Sequence, residues 1–476
     1  MAPHAARRTS SLPEGIRTLD DDVLIVVLSD THIGGDPGSD IFESPEHLAA
    51  LLTGLAAHAT PVELVLAGDF FDFLQIGIVP VGMNRAAMTI SRPEYADLFT
   101  ALRRIAAVDG HRVICMPGNH DAELWWNPDI QRMLRDEGLV TEFALSYAAR
   151  YQAAPGRVIY CEHGNQFDPA NVITDYGDPL DTPLGDHIVT DVTRRIAPAG
   201  RISPRFDLSD IGRIYPLVTV PDWIAGRIFY DLLARVTTRL LLPLVIGYAT
   251  YRILAYGVAE FDGGSSSPSI WDRYRALAVG QTLFAETAWD LLLLVSVFIL
   301  FFFATRRAAQ QMVSALTARI PGEPASAFGL GSPVGEIERL LESDDSPPMH
   351  RDLPGRVIDI FISGHTHAPA ISNHPGRQRT GTVIVNSGCW LRQLRPVAAH
   401  FGGPPVFTSR FVQTHVRLFL DADRMRVELW EHPKPAPGHP RLAERLAIAG
   451  RQPQQPDHGA TPRVIDSREI PIVPVA

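Results

Sequence analysis

Five short polar motifs carry the residues that could do chemistry: Asp30-Thr31-His32, Gly68-Asp69-Phe70-Phe71-Asp72, Gly118-Asn119-His120-Asp121, Glu162-His163-Gly164-Asn165 and Gly364-His365-Thr366-His367. Together they supply imidazoles, carboxylates and an amide carbonyl, with no thiolate among them. Such donors suit a pair of divalent cations. Held about 3.5–4 Å apart, two cations polarise a phosphoryl group, activate water and stabilise the attacking and leaving oxygens. Asp30, His32, Asp69, Asn119, His163, His365 and His367 are the candidate ligands, and one carboxylate must bridge. This donor set suits Mn2+, Fe or Zn2+ and favours Mn2+. Taken singly, each motif has a bland reading. Asp-x-His arises by chance, an Asn-His-Asp turn is more often a polar loop, and a lone His163 is more often a satisfied structural histidine. Five in order, each directly after an apolar run, have no such explanation.

The runs that must position these motifs are Val23–Ser29, Glu63–Ala67, Arg112–Met116, Arg157–Cys161 and Val357–Ser363, followed by Thr382–Asn386. Each is short, rich in β-branched residues and bounded by polar or turn residues, the pattern of a strand buried on both faces. Helix-like segments, Pro45–Ala57 and Pro93–Val108, lie between the early strands. That alternation predicts a layered α/β architecture, in which ligands gather beyond the carboxyl ends of the strands. Val416–Asp421 and Arg424–Trp430, separated by Ala422-Asp423, read as a closing hairpin.

The ordered motifs over residues 23–168 and 357–390, closed by Asn386-Ser387-Gly388, resemble the calcineurin-like metallophosphoesterase superfamily. The resemblance implies an α/β fold, a four-layer α/β/β/α sandwich interrupted by a large, mainly helical insertion. It implies that Asp30, His32 and His367 bind a first metal, that Asn119, His163 and His365 bind a second, and that Asp69 bridges them. His120 would protonate the leaving group or hold a phosphoryl oxygen, with Asp121 orienting it and water as nucleophile. The segment from His163 to Asp168 is similar to one in bacterial UDP-2,3-diacylglucosamine pyrophosphatases. It departs from them in having Asn165 where an acid is expected, and His120 stands where that subgroup commonly has arginine. Asp72, Asn165 and Trp125 are the candidate substrate-binding residues, with Trp125 and Trp126 as an aromatic wall. Arg392 and Arg395 follow the last strand, in position to reach a phosphate.

The remaining sequence bounds this reading. The chain has 476 residues, 46% of them hydrophobic, so a sizeable core is available, and a net charge of −10 argues against nucleic acid as a partner. Cys115, Cys161 and Cys389 are too few and too scattered for a disulfide framework and read as buried thiols. Residues 1–20 read as a disordered arm without the apolar stretch of a signal peptide. Residues 21–169 and 352–433 form the two parts of the core, 170–351 the insertion, and 434–476 a Pro-rich tail. Within the insertion, residues 240–256 (with Arg252) and 288–304 (with Asp290) are strongly apolar. The second stretch ends in Trp289 and Arg306-Arg307, as interfacial anchors would. These segments predict a membrane-embedded helical hairpin, near the length of about 20 residues that a span requires. Arg235, Arg239, Arg306 and Arg307 at its base place the catalytic domain in the cytoplasm by the positive-inside rule. The function expected is two-metal hydrolysis of a phosphoester or phosphoanhydride on a lipid-linked substrate. The alternatives are a soluble cytoplasmic phosphodiesterase or nucleotidase whose insertion is a helical cap, and an inactive scaffold that binds a partner through the hydrophobic insertion. Oligomeric state is not legible in the residues.

Overall fold

Strands buried on both faces must be covered on both faces, and this requirement builds the layers. The computed structural model describes residues 15–193, 201–203, 206–261, 277–317, 333–374, 382–438 and 440–472. Its strands before the insertion are β1 (Arg17–Leu19), β2 (Leu24–Leu28), β3 (Val62–Ala67), β4 (Arg112–Met116), β5 (Glu142–Phe143), β6 (Tyr147–Tyr151) and β7 (Val158–Cys161). The insertion contains a small hairpin of β8 (Arg201–Ser203) and β9 (Phe206–Asp207). After it come β10 (Ile358–Ser363), β11 (Ala370–Asn373), β12 (Val383–Asn386), β13 (Trp390–Val397), β14 (Val406–Asp421), β15 (Arg424–Glu431) and β16 (Arg463–Pro471). They form two mixed sheets. One runs β16–β15–β14–β2–β3–β4–β5, with β13 paired to β14, and the other runs β1–β6–β7–β10–β12–β11.

The period of two along each strand divides its side chains between layers. On β2, Leu24, Val26 and Leu28 face the helices Pro45–Ala56 and Ala96–Ala107, while Ile25 and Val27 face the other sheet. On β7, Ile159 and Cys161 point inward between the sheets, and Val158 and Tyr160 point outward against Ile337 and Leu341 of the helix Pro333–Glu342. Three apolar interfaces therefore separate four layers, α/β/β/α, as expected. Each fully buried Leu, Ile or Val contributes about 1.5–3 kcal/mol. The helix Pro45–Ala56 follows from its sequence: Pro sits in its first turn, and Leu48, Leu51, Leu52 and Leu55 repeat at helical spacing on the buried face. The three cysteines are free and buried.

The strands β2, β3 and β4 are parallel, as are β7, β10 and β12, so their carboxyl ends emerge at the same edge of each sheet. A buried ion pair joins neighbouring strands of one sheet, and its arginine also reaches β16 of the other. Arg157 donates from Nη1 to Asp359 Oδ1 (2.9 Å) and from Nε to the carbonyl of Pro471 (2.9 Å), and Asp359 Oδ2 accepts from the Val158 amide. Both side chains of the pair are fully buried.

Two sequence expectations require correction. Residues 1–14 lie outside the described residues, but Arg17–Leu19 is not part of a disordered arm: it is β1, paired in parallel with β6. Nor is 434–476 simply a tail. It contains the helix Leu442–Ala447 and β16, which covers the edge of β15 from Arg424↔Pro471 to Glu431↔Arg463. Edge strands are held largely by a neighbour's backbone, and β16 buries little apolar surface besides Ile470, so hydrophobic periodicity gives them no signal. Residues 473–476 lie outside the described residues.

The described insertion is mainly helical. The helix Val220–Val236 and the end of Leu277–Thr317 pack on the core through Phe229, Tyr230, Phe302 and Ala309 against Val406 and Ile448. Beyond that base, Leu242–Phe261 and its partner leave Leu244, Ile246, Tyr251, Leu293, Val297 and Leu300 exposed. An apolar window within Ala288–Ala315 has a mean hydropathy of 2.3, and none of it is buried. Among the described residues it is the one helix long and apolar enough to cross a membrane, by length and composition. The hydroxyl of Tyr248 donates to the Asp290 carboxylate across the two helices.

Replacing Arg157 by Leu would leave Asp359 buried and unpaired. Equilibrium unfolding in urea should register a loss of about 3–5 kcal/mol. A change below about 1 kcal/mol would mean that Asp359 does not depend on Arg157 for its charge balance.

Candidate metal centre

The site is built on strained backbone. Asp30 (φ 53°), His32 (49°), Asp69 (51°), His365 (64°) and His367 (54°) all occupy the left-handed region. Non-glycine residues held there cost about 1–3 kcal/mol each and persist only where the surroundings enforce them. Here the strand-end loops enforce each other. The amides of Asp30 and His32 donate to the carbonyls of Gly68 and Asp69 (3.1 and 2.9 Å). The His365 amide donates to Asp30 Oδ2 (2.9 Å) and the His120 amide to Asp69 Oδ1 (2.8 Å). Two glycines make room for the carboxylates. A Cβ on Gly118 would lie 2.1 Å from Asp69 Oδ1, and one on Gly364 would lie 2.2 Å from Asp30 Oδ2.

Six of the seven expected ligands gather in two clusters, Asp30, His32 and His367 in one and Asp69, His163 and His365 in the other. Asp69 Oδ2 lies 3.3 Å from His163 Nε2 and 3.7 Å from His32 Nε2, so it faces both groups. His367 Nε2 stands 3.2 Å from Asp30 Oδ1 and 3.2 Å from His32 Nε2. Such separations fit donors sharing an ion at bonds of about 2.0–2.2 Å. The imidazole tautomers fit as well. His163 Nδ1 donates to the Ala67 carbonyl (3.0 Å) and His365 Nε2 to Asp168 Oδ2 (3.0 Å). Each ring then turns its other nitrogen lone pair to the site, the usual way a ligating imidazole is oriented. His163 Nε2 and Asn119 Oδ1, the seventh donor, are buried without a hydrogen-bond partner. The residues present therefore fit a pair of divalent cations. Burial opposes the charge on Asp69, yet His163, His120 and His32 hold its carboxyl well below the usual range. Asp30 is likewise lowered, with His367 and His163 outweighing burial.

The partner of His120 differs from the expectation. Its Nδ1 meets Asp72 Oδ1 at 2.9 Å. Asp121 instead accepts the backbone amides of Gly118 (2.7 Å), Phe71 (3.1 Å) and Asp69 (3.2 Å), which ties two strand-end loops together. Asp72, expected to meet substrate, is thus the residue that orients His120, and Asp121 is a backbone brace. Asn165 is fully buried and occupied: its amide donates to the Asn171 carbonyl and its oxygen accepts from the Tyr176 hydroxyl. Its side chain is thus engaged within the fold, and its partner Tyr176 feels the charge of Asp69. Trp125 sits half-buried in the short helix Glu123–Trp126 and belongs to neither donor cluster. Three residues had no role in the sequence reading. Asp168 orients His365, and only its place at the end of the fourth motif hinted at this. Tyr215, from the insertion, stacks on His367 with ring centroids 6.4 Å apart. Asp186, also from the insertion, is buried, with Oδ1 lacking a hydrogen-bond partner. Burial pushes it up to about 7, against the pull of His120.

This sandwich with its two donor clusters defines a class, and comparison with known families reaches the same one. Residues 23–200 match the calcineurin-like phosphoesterase family, and the two donor clusters support a metal-dependent phosphoester hydrolase. The motif holding His365 and His367 lies beyond the matched stretch and completes the site through β10, paired in parallel with β7. No curated protein matches the chain.

A Gly118→Ala substitution tests whether Asp69 needs this space. Bound metal, measured by elemental analysis, should fall severalfold while the far-ultraviolet circular dichroism is retained. Full metal occupancy would show that Asp69 can shift without loss.

Proposed function

We propose that this protein hydrolyses a phosphoester or phosphoanhydride on a lipid-linked substrate, with two divalent cations at the centre and an apolar hairpin in the membrane. The observation that carries the chemistry is Asp69, a buried carboxylate shared between two donor clusters. Asp30, His32 and His367 would hold one cation, Asn119, His163 and His365 the other, and Asp69 both. Two such cations supply Lewis acidity toward phosphoryl oxygens and lower the pKa of water. Donors limited to imidazole, carboxylate and amide oxygen support Mn2+, with Fe and Zn2+ also compatible.

His120 supplies the proton. With Nδ1 committed to Asp72, its Nε2 is the nitrogen left for a leaving-group or phosphoryl oxygen. Burial opposes protonation, but Asp72 and Asp69 prevail and hold the imidazole up to about 10. Asp72, which holds no metal in this reading, stays beside the imidazole with the cations bound and favours the protonated form that a general acid needs. His120→Ala should lower kcat by about 10²–10⁴-fold for an alkyl phosphate, with metal content retained and a smaller loss for a nitrophenyl ester. A general acid works only when protonated, so kcat/KM for the alkyl ester should fall as pH rises through the His120 pKa. The variant should lack that alkaline limb. Equal losses for both esters would make His120 a positioning group instead.

Support for the membrane comes from the exposed apolar hairpin, from Trp289 and Arg306-Arg307 near the ends of its apolar stretch, and from the Tyr248–Asp290 pair. That pair offsets part of the cost of an acid at membrane depth. Arg235, Arg239, Arg306 and Arg307 at the base favour a cytoplasmic catalytic domain. The protein should sediment with membranes and resist a high-salt wash. Val297→Asp together with Leu300→Asp should release it, each charge costing about 2.5–3.5 kcal/mol at a span centre. A wild-type protein soluble without detergent would make the hairpin a cap and the substrate water-soluble, and the metal centre would be unaffected.

A further inference from the structure

Two arginines of β13 meet opposite fates. Arg392 is neutralised, donating to both oxygens of Glu43 at 2.9 and 3.0 Å. Arg395 has no carboxylate partner among the described residues. Its Nε donates to Gln393 Oε1 (2.8 Å), and the amide nitrogen of Gln393 donates in turn to the His367 carbonyl (3.1 Å). Gln393 and Arg395, two apart on one strand, lie on the same face, and the Gln393 amide shows that this face meets the metal-ligand loop. The Arg395 guanidinium carbon sits 4.9 Å from the centre of the Tyr215 ring, whose other neighbour is His367. Tyr215 is held there by the insertion: its amide donates to the Leu394 carbonyl (3.0 Å), and Ile214 bridges to Leu394. A half-buried cation, oriented through Nε and stacked on a ring, keeps both terminal nitrogens available in the fork that matches phosphate oxygens. Arg410, on the facing strand, is paired with Glu431 (3.9 Å), so Arg395 is the cation of this face that lacks a carboxylate partner among the described residues.

We infer that Arg395 and Tyr215 form a subsite, one ring away from His367, that binds a second phosphate group of the substrate. The inference rests on the phosphoesterase reading and narrows it to substrates in which another phosphate accompanies the one at the metals. The insertion thus contributes to substrate choice as well as to the hairpin.

The test is calorimetric binding of inorganic pyrophosphate and inorganic phosphate to the full-length, Mn2+-loaded protein, with metal content measured before and after. Arg395→Gln should weaken pyrophosphate about tenfold or more, the loss expected for a charge-assisted pair, and leave phosphate within about twofold. Tyr215→Leu should weaken pyrophosphate in the same direction, and Arg395→Lys should lose less than Arg395→Gln. Unchanged pyrophosphate affinity, or equal losses for both anions, would overturn the subsite. If Arg395→Gln fails to fold, the Tyr215→Leu and Arg395→Lys pair decides by the same criteria. Failure of the wild-type, metal-loaded protein to bind either anion would overturn the phosphoesterase reading itself.

Discussion

Four carboxylates, those of Asp30, Asp69, Asp72 and Asp121, are buried together at the carboxyl ends of the central strands. Left alone they would repel one another and lose their hydration, a cost of several kcal/mol per ion. Much of the local structure answers that cost. Asp121 accepts three backbone amides, and Asp72 is matched by His120. Asp30 and Asp69 are faced by imidazoles from four different loops, and their geometry suits cations as the further counter-charge. Bringing imidazole and carboxylate so close forces the backbone into left-handed turns at five ligands and excludes a Cβ at Gly118 and Gly364. The parallel strands and their two-sided burial provide the rigidity that maintains this strain.

The insertion is part of the same arrangement. Near its start it supplies Asp186, whose buried carboxyl feels His120, and further on Tyr215, which stacks on His367. Its helices are anchored on the core by Phe229, Tyr230 and Ala309, and past that anchor they expose Leu244, Ile246, Leu293, Val297 and Leu300. One segment thus touches the chemistry at one end and presents a hydrophobic hairpin at the other. A surface of that size costs free energy in water, which is a physical reason to place a lipid phase around it.

The core strands and the candidate metal donors were legible because both leave strong local marks. A strand buried on both faces must be apolar throughout, so β2, β3, β4, β7, β10 and β12 stand out in the chain. A metal site needs particular donor types directly after such strands, so Asp30, His32, Asp69, Asn119, His163, His365 and His367 stand out with them. Edge strands leave no such mark. β1 and β16 are polar for much of their length and owe their conformation to the backbone of a neighbour.

Roles among chemically equivalent residues were decided only by the tertiary structure. Asp121 adjoins His120 in its motif and Asp72 lies in another, yet the packing of two loops gives the imidazole to Asp72 and the backbone amides to Asp121. Arg392 and Arg395, three apart on one strand, face opposite ways, and Glu43 approaches from another segment to neutralise the first and not the second. Local composition encodes burial and donor type, so the candidate donors and the buried strands are written in the residues themselves. Which acid orients which base, which cation stays free and which insertion residue reaches the site depend on contacts between segments far apart in the chain, and those contacts exist only once the layers have packed.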